Sequence, residues 1–228
     1  FYSRRIGQRT EIDENEILGD GDKLLSFNET PKLLNSIKLT GTTNNNLSIG
    51  LLNAITDKSF AFISDGNNNI RKELIIPLTN FNVLSLSQKI LNDYSTIGFI
   101  NGNLSRESSF EDANNYAFMA NIFDNKRNFN FKGYYYKTYS PRLSQKSGER
   151  KIITIEELKG NFRYYLNINA TDRYYNQNEI GFYNGQNFIQ YGSRVSYQIL
   201  NKNKHFRSFQ SGLYLGYQTR YDSNIKNR

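Results

Sequence analysis

The stretch NNYAFMANIFDNKRNFNFKGYYYKTYS, residues 114–140, alternates between apolar and polar side chains on both sides of a tight centre at Asn125-Lys126. Its apolar parity carries Tyr116, Phe118, Ala120 and Ile122 before the centre, and Phe129, Phe131, Gly133 and Tyr135 after it. Because successive side chains of a strand point to opposite faces, this pattern predicts a hairpin with one aromatic, apolar face and one wet face. Each predicted strand is about ten residues long, which exceeds the usual five or six residues of a strand in a globular protein.

The same alternation returns in three later stretches, 160–170, 189–199 and 209–221. Each carries aromatic and aliphatic residues on one parity and mainly Asn, Gln, Ser or Arg on the other. A transmembrane strand needs about 9–11 residues and turns its apolar side chains towards lipid. The residues predicted to face lipid are Phe129, Phe131, Phe162, Tyr164, Leu166, Ile168, Tyr191, Val195, Tyr197, Leu213, Leu215 and Tyr217.

Strands dominate the chain from residue 34 onward, whereas residues 1–33 are predicted to be irregular. Nine or ten strands are predicted, including a short extra strand at 178–184 that keeps the strand number consistent with antiparallel pairing. The other predicted strands are 34–42, 46–56, 80–87, 95–103, the two halves of 114–140, 159–170, 187–200 and 205–221.

The predicted connections alternate in length. Those near 43–45, 88–94, 125–126 and 201–204 are short, and those at 57–77, 104–113 and 141–151 are longer and polar. Short turns on one rim and long loops on the other are typical of outer-membrane barrels, in which the long loops face the outside of the cell.

A soluble antiparallel sandwich or barrel is the alternative, and it would favour shorter strands with aliphatic inner faces. Here Tyr and Phe, 17 and 16 residues, are abundant on long strands. We therefore predict an all-β fold in which residues 34–228 form part of an antiparallel transmembrane β-barrel. Only a closed barrel satisfies every strand edge in lipid.

The composition limits the chemistry. The 228 residues carry a net charge of +8, no Cys, no Trp and one His, so disulfide, thiolate and multi-histidine sites are excluded. The mean hydropathy of −0.68 averages over the alternation and does not argue against a membrane. No stretch approaches the roughly 18 consecutive apolar residues of a transmembrane helix. The chain lacks an initiator Met and a signal-peptide pattern, and we interpret it as an internal piece of a larger protein.

The segments FYSRRIG (1–7), KLTG (38–41) and SIGLLNA (48–54) form a recognisable series, and STIGFINGN (95–103) and NEIGF (178–182) match more loosely. The series resembles a bacteroidete-type outer-membrane β-barrel family of unknown function that carries an N-terminal, family-nine-like carbohydrate-binding domain. That domain would precede Phe1. The resemblance implies an outer-membrane location and a barrel architecture, and it implies no established activity.

Enzymatic chemistry has little support, because no acid and base stand at a defined spacing. The segments DGDK (20–23) and SDGNNN (64–69) resemble calcium loops only faintly, since they lack the spaced ligands and the distal Glu. Asp-Gly and Asn-rich turns explain them better. We therefore predict a non-enzymatic protein without a metal or cofactor.

The polar faces of the best strands carry Lys132, Arg163, Arg194 and Arg220 with no acid on the same face, and Arg4 and Arg5 precede them. One interpretation is ordinary hydration of a lumen, or ion pairs with acids elsewhere. The other is a basic lumen that favours anions or holds an acidic plug. The candidate plug lies in residues 11–22 and consists of Glu11, Asp13, Glu14, Glu16, Asp20 and Asp22; a periplasmic linker is the competing interpretation.

Nucleic acid is not predicted as a partner, because a stacking platform would place basic and aromatic residues on one face, whereas here they alternate between opposite faces. The positive charge instead suits acidic lipid headgroups and lipopolysaccharide phosphates. The leading hypothesis is an anchor for a binding domain, or a subunit of a larger assembly, in the outer membrane of a Gram-negative bacterium. Other outer-membrane proteins, or a glycan bound by the additional domain, would be its partners. A channel for small anions or saccharides and a barrel enzyme acting on lipid or glycan are the alternatives.

Overall fold

A computed structural model describes residue 6 and residues 17–67, 69–107, 110, 112–139, 147–181, 183–200, 204 and 207–222. The described chain is all-β, and every strand pair is antiparallel. No described helix has the length and hydropathy needed to cross a membrane. The strands are β1 Lys23–Phe27, β2 Leu33–Thr42, β3 Leu47–Thr56, β4 Ser59–Ser64, β5 Ile70–Ile76, β6 Thr79–Lys89, β7 Thr96–Arg106, β8 Ala113–Phe123, β9 Phe129–Tyr139, β10 Ser147–Glu157, β11 Phe162–Thr171, β12 Phe188–Ile199 and β13 Phe209–Thr219.

Ten strands form one large sheet in the order β13-β12-β11-β10-β9-β8-β7-β6-β3-β2. Neighbours in this sheet follow one another in the chain, except that β4 and β5 are inserted between β3 and β6. These two strands pair with β1 in a small sheet of order β1-β4-β5. The large sheet is not closed, because β2 and β13 form its two edges.

The predicted hairpin at 114–140 is confirmed as β8 and β9. The Asp124 carboxylate accepts hydrogen bonds from the backbone N–H groups of Phe129 (2.7 Å) and Lys126 (3.2 Å), which fixes the turn. Arg127 adopts a φ of 55°, and its N–H donates to the Asp124 carbonyl. The N–H of Phe129 is the main cause of the lowered pKa of Asp124. With this turn the register pairs Phe118 with Tyr135, so the apolar parities of the two strands share a face.

The alternation of connections also agrees with the sequence-based layout. The turns after β2, β6, β8, β10 and β12 lie at one end of the large sheet, named here the short-turn end. The connections after β3, β7, β9 and β11 lie at the opposite end, named here the long-loop end. The insertion of β4 and β5 is therefore at the long-loop end. The orientation of the two ends relative to a membrane stays a prediction.

Two strand assignments change. The predicted loop 141–151 contains the start of β10, whose charged residues Glu149, Arg150 and Lys151 mask its strand pattern. The predicted strand at 178–184 is wrong in its described residues, because the N–H groups of Ile180 and Gly181 both donate to the carbonyl of Gln177 in a turn. The large sheet thus has ten strands, with β10 in place of the predicted 178–184 strand.

The small sheet was also missed. The segment 1–33 contains β1, and the connection 57–77 contains β4 and β5. β1 pairs with β4, which lies more than thirty residues further along the chain. Long-range pairing of short strands leaves no local periodic pattern that would distinguish them from loops.

Candidate functional site

One face of the large sheet is apolar from β2 to β13 and largely exposed, although Leu84 and Leu86 of β6 are half-buried, and we name it the apolar face. It holds all twelve residues predicted to face lipid, which pair with one another across the strands, as in the row Phe131, Ile155 and Leu166. Eleven of the twelve are exposed, and Tyr164 is half-buried beside Phe129. A contiguous apolar surface of this extent is unusual for a monomeric soluble protein and marks an interaction surface.

The apolar residues form a band that crosses the strands obliquely. In β6 the band contains Leu84 and Leu86, between Asn82 and Gln88. One row of cross-strand partners begins at Gln88, on the short-turn side of the band in β6. It passes through Ile97, Ala120, Gly133, Ile153, Ile168, Tyr191 and Tyr217, and so enters the band and approaches its long-loop side.

The displacement of the band follows from this register. Position 85 is the centre of the apolar stretch of β6. Its cross-strand partners, followed strand by strand from β7 to β12, end at position 188. The apolar stretch of β12, 189–199, is instead centred on position 194. The band therefore moves towards the short-turn end by roughly one residue per strand step, which is the stagger of strands that tilt relative to a common plane.

A belt of polar side chains follows the long-loop side of the band. Asn53 donates to Asn80 at 2.6 Å and to Asn82 at 2.8 Å. Further along the belt, Glu149 lies 2.9 Å from the ammonium of Lys151 and 3.5 Å from that of Lys137. Because these amides and charges are paired with one another, they form a polar limit to the band at little cost in unsatisfied groups.

The opposite face carries the connection 172–187, and we name these the covered face and the covering loop. Two glycines of the sheet make room for the loop. A Cβ at Gly148 would lie 2.2 Å from the Tyr175 nitrogen, and one at Gly102 would lie 2.9 Å from Ile180. Ile180 is 4% exposed and joins the buried cluster of Ala54, Phe81, Leu104 and Ala113, against which Ile6 and Leu52 pack.

Polar contacts fix the covering loop at the long-loop end. Arg106 of β7 forms an ion pair with Glu179, whose side chains are 14% and 9% exposed. Asn115 donates to the carbonyl of Gln177 at 3.3 Å, and the N–H of Asn176 donates to the hydroxyl of Thr138 at 3.2 Å.

Tyr175 is the central aromatic residue of the covering loop and is 1% exposed. Its ring packs edge-on against Tyr183 and Tyr136, with centroid separations of 5.3 and 6.4 Å, and its hydroxyl donates to Gln177. Burial raises the pKa of the Tyr175 phenol, and the nearby Arg150 partly opposes this shift. No local pattern predicts this packing, because the apolar residues at 178–184, within a polar connection, are equally typical of a short strand.

The covered face also holds Lys132, Arg163 and Arg194, on the parity that the sequence predicted. Arg220 is exposed and follows the last residue of β13. The strands that carry or precede these residues, β9, β11, β12 and β13, have no acid on this face, as expected, but Glu156 of the neighbouring β10 accepts from Lys132 at 2.5 Å. The alternative of ion pairs with acids elsewhere therefore applies to Lys132.

The candidate plug is only partly described. Asp20 is exposed, and Asp22 pairs with Arg71 of β5 at 2.9 Å, which ties it to the small sheet. Arg4, Arg5, Glu11, Asp13, Glu14 and Glu16 lie outside the described residues, so their part of the hypothesis stays a prediction. Among residues 1–16, the structure describes Ile6 alone, which packs against the cluster on the covered face.

The described residues of the 64–69 segment belong to the turn between β4 and β5. The Asp65 carboxylate accepts hydrogen bonds from the backbone N–H groups of Asn67 and Asn69, both at 2.8 Å, and from the Asn69 side chain at 2.9 Å. The bond from the Asn69 side chain is the main cause of the lowered pKa of Asp65. The carboxylate thus acts as the acceptor of an Asx turn.

Comparison with known proteins relates the chain to one protein family. No curated protein and no solved structure matches the chain. A family described as a domain of unknown function, DUF5916, matches residues 1–228. The match covers the small sheet, the large sheet and the covering loop together, and the chain belongs to the DUF5916 family.

Proposed function

We propose that this chain is a non-enzymatic part of a transmembrane β-barrel in the outer membrane of a Gram-negative bacterium, where it anchors a binding domain or serves as a subunit of a larger assembly. The oblique apolar band is the observation that carries this proposal. A flat lipid boundary requires such an offset when strands tilt, whereas the core face of a soluble sandwich would be buried.

Strand length supports the same conclusion. The strands of the large sheet contain 10 to 12 residues, which matches the roughly 9–11 residues of a tilted strand that crosses a bilayer. The polar belt would lie at the lipid–water interface on the long-loop side. In lipid every strand edge has to be paired, so the proposal requires β2 and β13 to pair with each other or with further strands.

The covering loop favours an anchor over a channel. It buries Tyr175 and Ile180 against the face that would line the lumen, and the ion pair between Arg106 and Glu179 holds it there. Lipid and lipopolysaccharide would contact the apolar face, and other outer-membrane proteins or a glycan would be reached through additional domains.

The test compares arginine substitutions on the two faces. Leu166→Arg and Val195→Arg place a charge in the band, and we expect each to cost about 2–4 kcal/mol near the bilayer midplane and to prevent outer-membrane assembly. Asn167→Arg and Ser196→Arg are the controls on the covered face. Asn167→Arg also loses the hydrogen bond to Thr154, which contributes about 1 kcal/mol.

Assembly is measured by membrane fractionation and by the heat-dependent gel mobility of folded protein. The proposal predicts that the two control variants reach the outer membrane and that the two band variants do not. Equal behaviour of the four variants would show that the two faces do not meet different solvents.

A further inference from the structure

The covered face contains a recess at its short-turn end, opposite to the covering loop. Its volume is about 130 Å³, and it lies where β11, β12 and β13 approach their short-turn ends. The polar side chains that line it include those of Arg163, Arg194, Ser196, Gln198, Gln210 and Glu156.

Both guanidinium groups of the recess contact uncharged groups. Arg163 donates to the carbonyl of Gly160 at 3.2 Å and, with the Gln198 amide oriented oxygen-inward, to that oxygen at 2.6–3.0 Å. Gln198 is 7% exposed and is therefore fixed in place. Arg194 lies over the ring of Tyr165 at 5.5 Å. In the described part of the chain, neither arginine has a carboxylate within ion-pair distance.

The acids that line the recess do not cancel this charge. Glu156 is paired with Lys132 at 2.5 Å, so their charges offset one another. Glu157 pairs with Phe129 in the register, which assigns it to the apolar face. The two guanidinium groups therefore leave an excess of positive charge at the recess, where Arg163 is half-buried and Arg194 is exposed to solvent.

We propose that this recess binds an oxyanion, the phosphate or carboxylate group of a small solute. Guanidinium groups match such groups because their planar N–H donors form paired, charge-assisted hydrogen bonds. Ser196 and the Gln210 amide supply further donors. The recess accommodates the charged group, and the remainder of the solute extends along the covered face. The site is formed by β11 to β13 together with the end of β10 and the turn that follows it, and it is independent of whether the apolar face contacts lipid.

The experiment uses the full chain in dodecyl maltoside micelles, a detergent without phosphate. The linewidth of the phosphorus resonance of inorganic phosphate is followed as protein is added, for wild type and for the double variant Arg163→Gln/Arg194→Gln. Lys38→Gln is the matched control, because it removes one exposed positive charge on β2, at the opposite edge of the sheet. Thermal unfolding of each variant shows that it is folded.

We expect the phosphorus resonance to broaden with protein concentration for wild type and Lys38→Gln. The double variant should bind phosphate at least about tenfold more weakly than wild type. Arg194→Lys, which keeps the charge without the fork, should give intermediate binding. If added acetate displaces the bound phosphate, the site also accepts carboxylates. If phosphate stays bound in the presence of acetate, the site is specific for phosphate. Absence of broadening in wild type, or equal broadening in the folded double variant, overturns the proposal and indicates an adventitious ion only.

This measurement is separate from the test of the membrane proposal. Binding in micelles reports on the recess, whereas the arginine substitutions on the two faces report on assembly. If the recess fails to bind phosphate, the assembly test can still support the membrane proposal, and the reverse also holds.

Discussion

At the residue scale, Gly148 determines whether the covering loop can pack on β10. The loop backbone approaches so closely that a Cβ at this position would lie within 2.4 Å of the carbonyl oxygen of Tyr174 and of the Tyr175 nitrogen. Backbone atoms cannot move aside as the end of a flexible side chain can. The absence of a side chain at Gly148 is therefore required for this contact, independently of any special φ.

Gly148→Ala should displace the covering loop and lower the free energy of unfolding by about 1–3 kcal/mol, the usual cost of overpacking. Gly41→Ala is the matched control, because no atom beyond the adjacent residues of the chain lies within 4 Å of the position of its Cβ. It should leave stability unchanged or raise it by up to about 1 kcal/mol. Thermal unfolding in micelles measures both. Equal stability of the two variants would contradict the close packing of the loop.

The Tyr175 phenol gives the covering loop a dependence on alkaline pH. Burial raises the pKa of this phenol in the folded state above the value of about 10 that it has in the unfolded chain. The folded state therefore binds the proton more tightly. Its contribution to stability is complete below about pH 10 and is lost as the pH rises through the raised pKa.

Tyr175→Phe should accordingly show a shallower loss of stability above about pH 10 than wild type. Tyr94→Phe, which removes a 45% exposed phenol in a turn, is the control and should follow wild type. Urea denaturation across this pH range provides the measurement. A wild-type slope in Tyr175→Phe would show that the buried phenol does not control the transition.

At the scale of elements, the covering loop separates the anchor hypothesis from the channel hypothesis. Wild type should remain silent in planar bilayers, since the loop occupies the long-loop half of the covered face. Replacing residues 173–186 by a short Gly-Ser linker removes Tyr175, Glu179 and Ile180 together and should produce measurable conductance. Open conductance in wild type would favour the channel, and a silent shortened variant would place the obstruction elsewhere in the chain.

The two ends of the sheet predict different access to reagents. The natural sequence has no Cys, so single-cysteine variants give unambiguous labelling. Cys at Asn67, in the turn between β4 and β5 at the long-loop end, should react with an impermeant thiol reagent on whole cells. Cys at Asn125, in the short turn between β8 and β9, should not. The reverse pattern would invert the proposed orientation.

The elements show which patterns a sequence reveals. The β8–β9 hairpin was predictable, because regular alternation flanks an Asp-Asn-Lys turn whose first residue accepts several backbone N–H groups. β10 was hidden, because Lys151 and Glu149 of the polar belt fall on its apolar parity. The covering loop and the β1–β4 pairing depend on contacts between distant segments, for which local periodicity carries no signal.

For the whole molecule, the oblique band predicts how the cost of a charge varies with position. Val195 lies near the centre of the band in β12, whereas Ile189 and Ile199 lie at its two limits. We expect Val195→Arg to cost about 2–4 kcal/mol and Ile189→Arg and Ile199→Arg about 0–1 kcal/mol. Folding into lipid vesicles in a denaturant titration measures the difference. A uniform cost along β12 would contradict a lipid layer centred on the band.

The insertion of β4 and β5 also affects how the chain folds. Most neighbouring strands of the large sheet are joined by a single connection, so they can zip together through local contacts. The β3–β6 pair instead has to close over residues 57–78 before its contacts form, which carries a greater entropic cost. Earlier formation of the β4–β5 hairpin shortens the flexible part of this closure. The β4–β5 hairpin is therefore expected to form before β3 pairs with β6, and so to ease the addition of β2 and β3 to the strands β6 to β13.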